Sequence, residues 1–79
     1  MVPITIEKFV DQYMKSNPIE NRKEIINSLK AALAAKEAGA SCSQCGEQIW
    51  AVGTGIVGWS GCFTCITGET DDSNDYEIM

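Results

Sequence analysis

Cys42-Ser43-Gln44-Cys45-Gly46 and Cys62-Phe63-Thr64-Cys65, separated by residues 47–61, contain all four cysteines of a 79-residue chain. Two CxxC pairs across an intervening segment can deliver four sulfurs to one tetrahedral centre, the ligand set and spacing of a structural zinc site. The reading is one zinc ion per chain on Cys42, Cys45, Cys62 and Cys65. Four protein ligands leave no position for a water, and the chain has no histidine, so metal catalysis is not expected. Iron is the competing metal, because a tetrahedral all-sulfur site suits it too. Two disulfides or free thiols complete the alternatives.

A staple of some kind is expected on size alone. A chain this short buries only roughly 60% of its unfolded surface, so apolar burial by itself is marginal. The compartment favours metal over disulfides. The first residues, Met-Val-Pro-Ile-Thr-Ile-Glu-Lys-Phe, lack a basic region followed by an apolar one. The longest weakly polar run, Ile49 to Trp59, is interrupted by Gly53, Gly55 and Gly58 and is too short to cross a bilayer. The expectation is a cytoplasmic protein away from membranes, where thiols stay reduced.

Around the cysteines the residues read as a small β module over 40–68. Gly46, directly after Cys45, can take a positive φ without cost and let the chain turn under a metal. Gln48 to Val52 reads as a strand, Gly53-Thr54-Gly55 as a turn and Ile56 to Trp59 as the returning strand. Phe63 and Ile66 would cover the site. Gly53-Thr-Gly55-Ile-Val-Gly58 matches the dinucleotide pattern GxGxxG. That pattern needs a strand before it and a helix after it, and Trp59-Ser60-Gly61-Cys62 is no helix, so the glycines are read as a hairpin turn. A thiol–disulfide redox role would need a CxxC opening a long helix, and neither pair reads that way.

Upstream, residues 4–16 predict an amphipathic helix with Thr5 as N-cap. Ile6, Phe9, Val10, Tyr13 and Met14 form its apolar face and read as core. Ser16-Asn17-Pro18 breaks it. A second helix is expected from Pro18 to about Ala38, with Asn17 as N-cap and Glu20 closing a capping box. Ile19, Ile25, Ile26, Leu29 and Leu33 supply its apolar side, and Gly39 ends it. Residues 1–39 thus predict a helical hairpin.

All six basic residues precede residue 37, while Glu37, Glu47, Glu69, Asp71, Asp72, Asp75 and Glu77 follow with no base among them. Phosphate binding needs cations, so nucleic acid is not an expected partner. Trp50 and Trp59 are candidate binding residues, and without nearby cations a protein partner suits them better than stacked bases. Residues 69–79 read as an acidic, mobile tail, with Tyr76-Glu77-Ile78-Met79 either frayed or loosely docked.

In its two CxxC pairs and Gly46 the chain resembles the zinc-ribbon group of four-cysteine zinc fingers. The resemblance implies Cys42, Cys45, Cys62 and Cys65 as ligands on a β-hairpin fold. The chain departs from the group where Ile66, not glycine, follows Cys65. Many unrelated functions use such folds. The combined expectation is an α+β protein: a helical hairpin, a four-cysteine zinc-ribbon β-hairpin and an acidic tail. Its expected role is a zinc-stabilised binding or adaptor protein acting through protein contacts, not an enzyme. The alternatives are a rubredoxin-like iron electron carrier and a precursor peptide whose helical leader ends at Ala38-Gly39-Ala40.

Overall fold

The computed structural model describes residues 1–78, so Met79 lies outside the described residues. In chain order the elements are β1 (Val2–Ile4), α1 (Ile6–Ser16), α2 (Arg22–Glu37), α3 (Ala51–Val57), α4 (Phe63–Thr67) and β2 (Tyr76–Ile78). The architecture is mixed, with helices around one two-stranded sheet. The strands run parallel, in the register Val2 with Tyr76, Pro3 with Glu77 and Ile4 with Ile78. The core combines Ile4 and Ile78 of the sheet, Val10 of α1, Ile25, Leu29 and Ala32 of α2, and Ala51 and Val52 of α3.

α1 begins where its cap dictates, with the Thr5 hydroxyl accepting the Lys8 N–H at 3.2 Å. α2 begins later than Pro18. Its N-cap is Asn21, whose side chain accepts the Glu24 N–H at 3.1 Å. Asn17…Glu20 and Asn21…Glu24 are two capping patterns four residues apart, and Asn17 is engaged elsewhere. Its backbone N–H and its side-chain amide both donate to the Tyr13 carbonyl at 3.0 Å, which closes α1. Pro18 therefore opens a turn, and Ile19 is left in solvent at 97% exposure.

The expected β-hairpin over 48–59 is replaced by helix α3. Only the rim of the first CxxC keeps β character, in a single antiparallel bridge between Ser41 and Gln48. The helix forms against local propensity because packing and capping from distant residues favour it. Gly55 lies directly on Leu29: a Cβ there would come within 2.7 Å of the Leu29 side chain and 3.2 Å of its Cα. α2 and α3 can approach this closely only because the residue is glycine. The glycines of the GxGxxG pattern are thus helix-packing residues, and Gly58, in the left-handed region at φ +85°, ends α3.

Residues 76–78 of the expected tail are held in place. Tyr76–Ile78 pair with β1, Ile78 is 1% exposed and Glu77 is 3% exposed. Trp50, the residue before α3, provides no side-chain cap; the Glu77 carboxylate caps the helix from a distance. Its Oε2 accepts the Ala51 N–H at 3.0 Å and Oε1 accepts the Val52 N–H at 3.2 Å. Oε1 also accepts the Ile78 N–H at 2.9 Å, and Lys36 Nζ of α2 reaches Oε2 at 2.8 Å. A carboxylate at a helix N-terminus faces the positive end of the helix dipole, and here it also carries a part-buried ion pair with Lys36.

Glu77→Ala leaves two buried α3 amides unpaired, with the partly exposed Lys36 adding less, and is expected to cost about 2–5 kcal/mol, measured by urea denaturation. Gly55→Ala must push α2 and α3 apart and is expected to cost about 1–3 kcal/mol in the same assay. Gly46, where a Cβ would meet no atom within 4 Å, is the control that separates steric from backbone effects.

Candidate metal centre

The four cysteines come together from two kinds of local structure. Cys42 and Cys45 sit on a tight turn whose arms are tied by the Cys42 N–H to the Glu47 carbonyl (2.6 Å) and the Gly46 N–H to the Cys42 carbonyl (3.0 Å). Gly46 adopts φ +80°, the positive value its position after Cys45 predicts. The second pair is a helical turn. Cys62 is the N-cap of α4, its sulfur accepting the Cys65 N–H at 3.4 Å. This explains the departure at Ile66. The chain remains helical through Thr67, so the left-handed glycine falls at Gly68, with φ +79°.

Several contacts bring the two turns into register. Ser43 N–H and Ser43 Oγ–H both donate to the Ser60 carbonyl, at 2.9 and 3.1 Å. The Trp50 N–H donates to the Gly61 carbonyl at 2.9 Å. The Thr54 hydroxyl of α3 donates to the Gly61 carbonyl and accepts the Gly61 N–H, both at 3.2 Å. Residues 60 and 61, just before the second pair, are thus fastened to the first turn and to α3.

The result is four sulfurs all within 4.8 Å of one another, with Cys45 Sγ and Cys62 Sγ at 3.4 Å. For four thiolates about 2.3 Å from a tetrahedral zinc, the sulfurs stand about 3.8 Å apart. The observed cluster brackets that value, so the four cysteines could hold a metal ion with only small side-chain adjustment. Cys42 and Cys62 are buried, Cys65 is half-buried and Cys45 is exposed.

The electrostatics of the cluster fit a cation. Backbone N–H groups point at sulfur: that of Cys45, with those of Cys62 and Gln44, lowers the Cys42 thiol to about 6 against the opposing effect of burial. The Cys65 thiol is pushed up to about 12, first by the sulfur of Cys62 and then by those of Cys42 and Cys45. At Cys45 the Glu47 N–H lowers the thiol, but the Cys62 sulfur, burial and the Cys42 sulfur together raise it. One thiolate is comfortable here; further ones repel it unless a metal ion neutralises them.

The aromatic residues lie beside the centre. Trp50 donates its indole N–H to the Tyr76 carbonyl at 2.8 Å and meets Phe63 edge-on, with ring centroids 5.0 Å apart. It thereby ties α4, which carries the second pair, to β2. Trp59 is half-buried, with its ring over Gly61. Glu77 and Lys36 are the residues sequence reasoning missed. The signal available was a carboxylate between Tyr76 and Ile78, an acid inside an apolar triplet.

Among the described residues no helix is long and apolar enough to cross a membrane. Because Cys45 and Cys65 are held in their protonated form at neutral pH, binding of a divalent metal ion is expected to release at least these two protons. Affinity should accordingly rise with pH. Calorimetry at pH 7 in buffers of different ionisation enthalpy measures the release, and a value of zero would contradict the assignment. Compared with known proteins, the chain matches no family model, no curated protein and no solved structure.

Proposed function

We propose that the protein is a small zinc-stabilised binding module, in which one zinc ion on Cys42, Cys45, Cys62 and Cys65 has a structural role and function is exerted through protein contacts. The observation that carries this reading is the approach of all four sulfurs to within 4.8 Å of one another. The backbone N–H groups aimed at Cys42 and Cys45 add to it. When bound, the ion would supply charge neutralisation and a cross-link between the two turns. Four sulfur ligands leave it no open position, which favours a structural over a catalytic role.

Protein contact is the favoured mode of action because the surface offers an apolar groove and few clustered cations. The groove, of about 380 Å³, lies between α1 and α3 and is lined by Phe9, Tyr13, Trp50, Ile56, Val57 and Tyr76. Ile56, Val57 and Tyr76 are exposed. Aromatic and aliphatic side chains presented in this way suit a protein partner. Nucleic acid is disfavoured by the absence of any Lys or Arg after residue 36.

Cobalt(II) titration of the reduced protein tests the ligand set. The expected result is the visible absorption of tetrahedral cobalt–thiolate, saturating at one equivalent and bleached by added zinc. Replacing any one of the four cysteines by serine should weaken or abolish it. A pale, octahedral-type spectrum, or saturation at a fractional equivalent, would contradict the site. Red protein from iron-replete cells would instead favour the iron electron carrier.

A further inference from the structure

We propose that Cys45 and Cys62 are the redox-reactive pair of the cluster, converted by a hydroperoxide to a disulfide that joins the two CxxC turns and removes two of the four metal ligands. The loss of the metal rests on the function proposed above; the identity of the disulfide does not.

Three observations carry the inference. First, Cys45 is the exposed cysteine of the four, so it is where a peroxide in solution first meets sulfur. Exposure is a requirement for a reactive thiol. Second, its sulfur touches a sulfur of the other pair: Cys45 Sγ and Cys62 Sγ are 3.4 Å apart. A disulfide needs about 2.05 Å, a closure of about 1.4 Å that side-chain rotation in an exposed turn can supply. Third, a redox-type CxxC is not present in the second pair, although it opens a helix. The N-terminal cysteine of such a motif is the accessible nucleophile, whereas Cys62 is 7% exposed and its sulfur receives the Cys65 N–H. Cys62 is therefore placed to resolve an oxidised Cys45, not to be attacked from solvent.

The chemistry balances with a hydroperoxide as the two-electron oxidant. The Cys45 thiol gives up its proton as its sulfur attacks the peroxide O–O bond, forming S–O, and the departing oxygen leaves as water (an alcohol for an organic peroxide). The Cys62 sulfur then attacks the sulfur of the Cys45 sulfenic acid, forming S–S; the Cys62 proton leaves with the hydroxyl oxygen as a second water. Two thiols and hydrogen peroxide give one disulfide and two waters. The sulfurs lose two electrons and the peroxide gains them. Cys42 and Cys65 remain as thiols, too few to retain the ion in a four-sulfur site.

Glutamyl-specific digestion resolves the outcome, because cleavage after Glu37, Glu47 and Glu69 places Cys42 and Cys45 in peptide 38–47 and Cys62 and Cys65 in peptide 48–69. Zinc content is measured first, then one equivalent of hydrogen peroxide is added, free thiols are alkylated and the denatured protein is digested. The expected product is the two peptides linked by one disulfide, with tandem fragmentation placing the link at Cys45–Cys62 and one zinc released per link. Cys45→Ser should abolish the link. Separate peptides, each with an internal disulfide, would overturn the proposal. So would a link assigned to Cys42 or Cys65, or oxygen added to Cys45 with no link. Fragmentation of the unaltered protein keeps the test decisive if the variant does not fold. Protein that carries no zinc yet links Cys45 to Cys62 supports the pair and refutes the metal reading, so the two failures are distinct.

Discussion

The Glu77 carboxylate is the contact on which the arrangement of this chain depends. It joins three segments remote in sequence: α2 through Lys36, α3 through the Ala51 and Val52 amides, and β2 through its own backbone. A glycine-containing heptamer, Ala51–Val57, would be a poor helix in isolation. It is helical here because its free amides meet a buried anion and its glycines lie flat against Leu29 and Trp50. Removing the carboxylate would expose two buried amides and an ammonium at once, which is why one side chain matters so much.

The sulfur cluster is attached to that lock. Trp50 bonds to the Tyr76 carbonyl, packs on Phe63 between Cys62 and Cys65, and directly precedes α3. Thr54 and Ser43 then hold residues 60 and 61 so that the second pair faces the first. Protein contacts thus bring the sulfurs together, and the remaining obstacle is their mutual repulsion once ionised, seen in the Cys65 thiol pushed up to about 12. A cation held by the four sulfurs would relieve that repulsion and cross-link the turns.

What could be read from the chain alone was whatever short-range chemistry controls. The four cysteines, the Thr5 cap and the positive φ of Gly46 follow from spacing and residue type, and each is found. The start of α2 is ambiguous in sequence because Asn17 and Asn21 both head a capping pattern; in the fold Asn17 bonds to the Tyr13 carbonyl and Asn21 caps α2. Strand was expected over 48–59 because Ile49, Val52, Ile56 and Val57 favour it locally. The helix arises from Glu77 and Leu29, which no local window contains. Composition makes the acidic segment look mobile because it averages over Glu77, whereas the burial of Glu77 depends on a helix terminus 26 residues away.

Native mass spectrometry with elemental analysis, on protein purified without added metal, decides whether the four sulfurs hold a structural ion. One zinc ion per chain, lost on chelation together with the compact charge-state distribution, is the expected result. A metal-free mass lower by about four hydrogens, the signature of two disulfides, would overturn the zinc site.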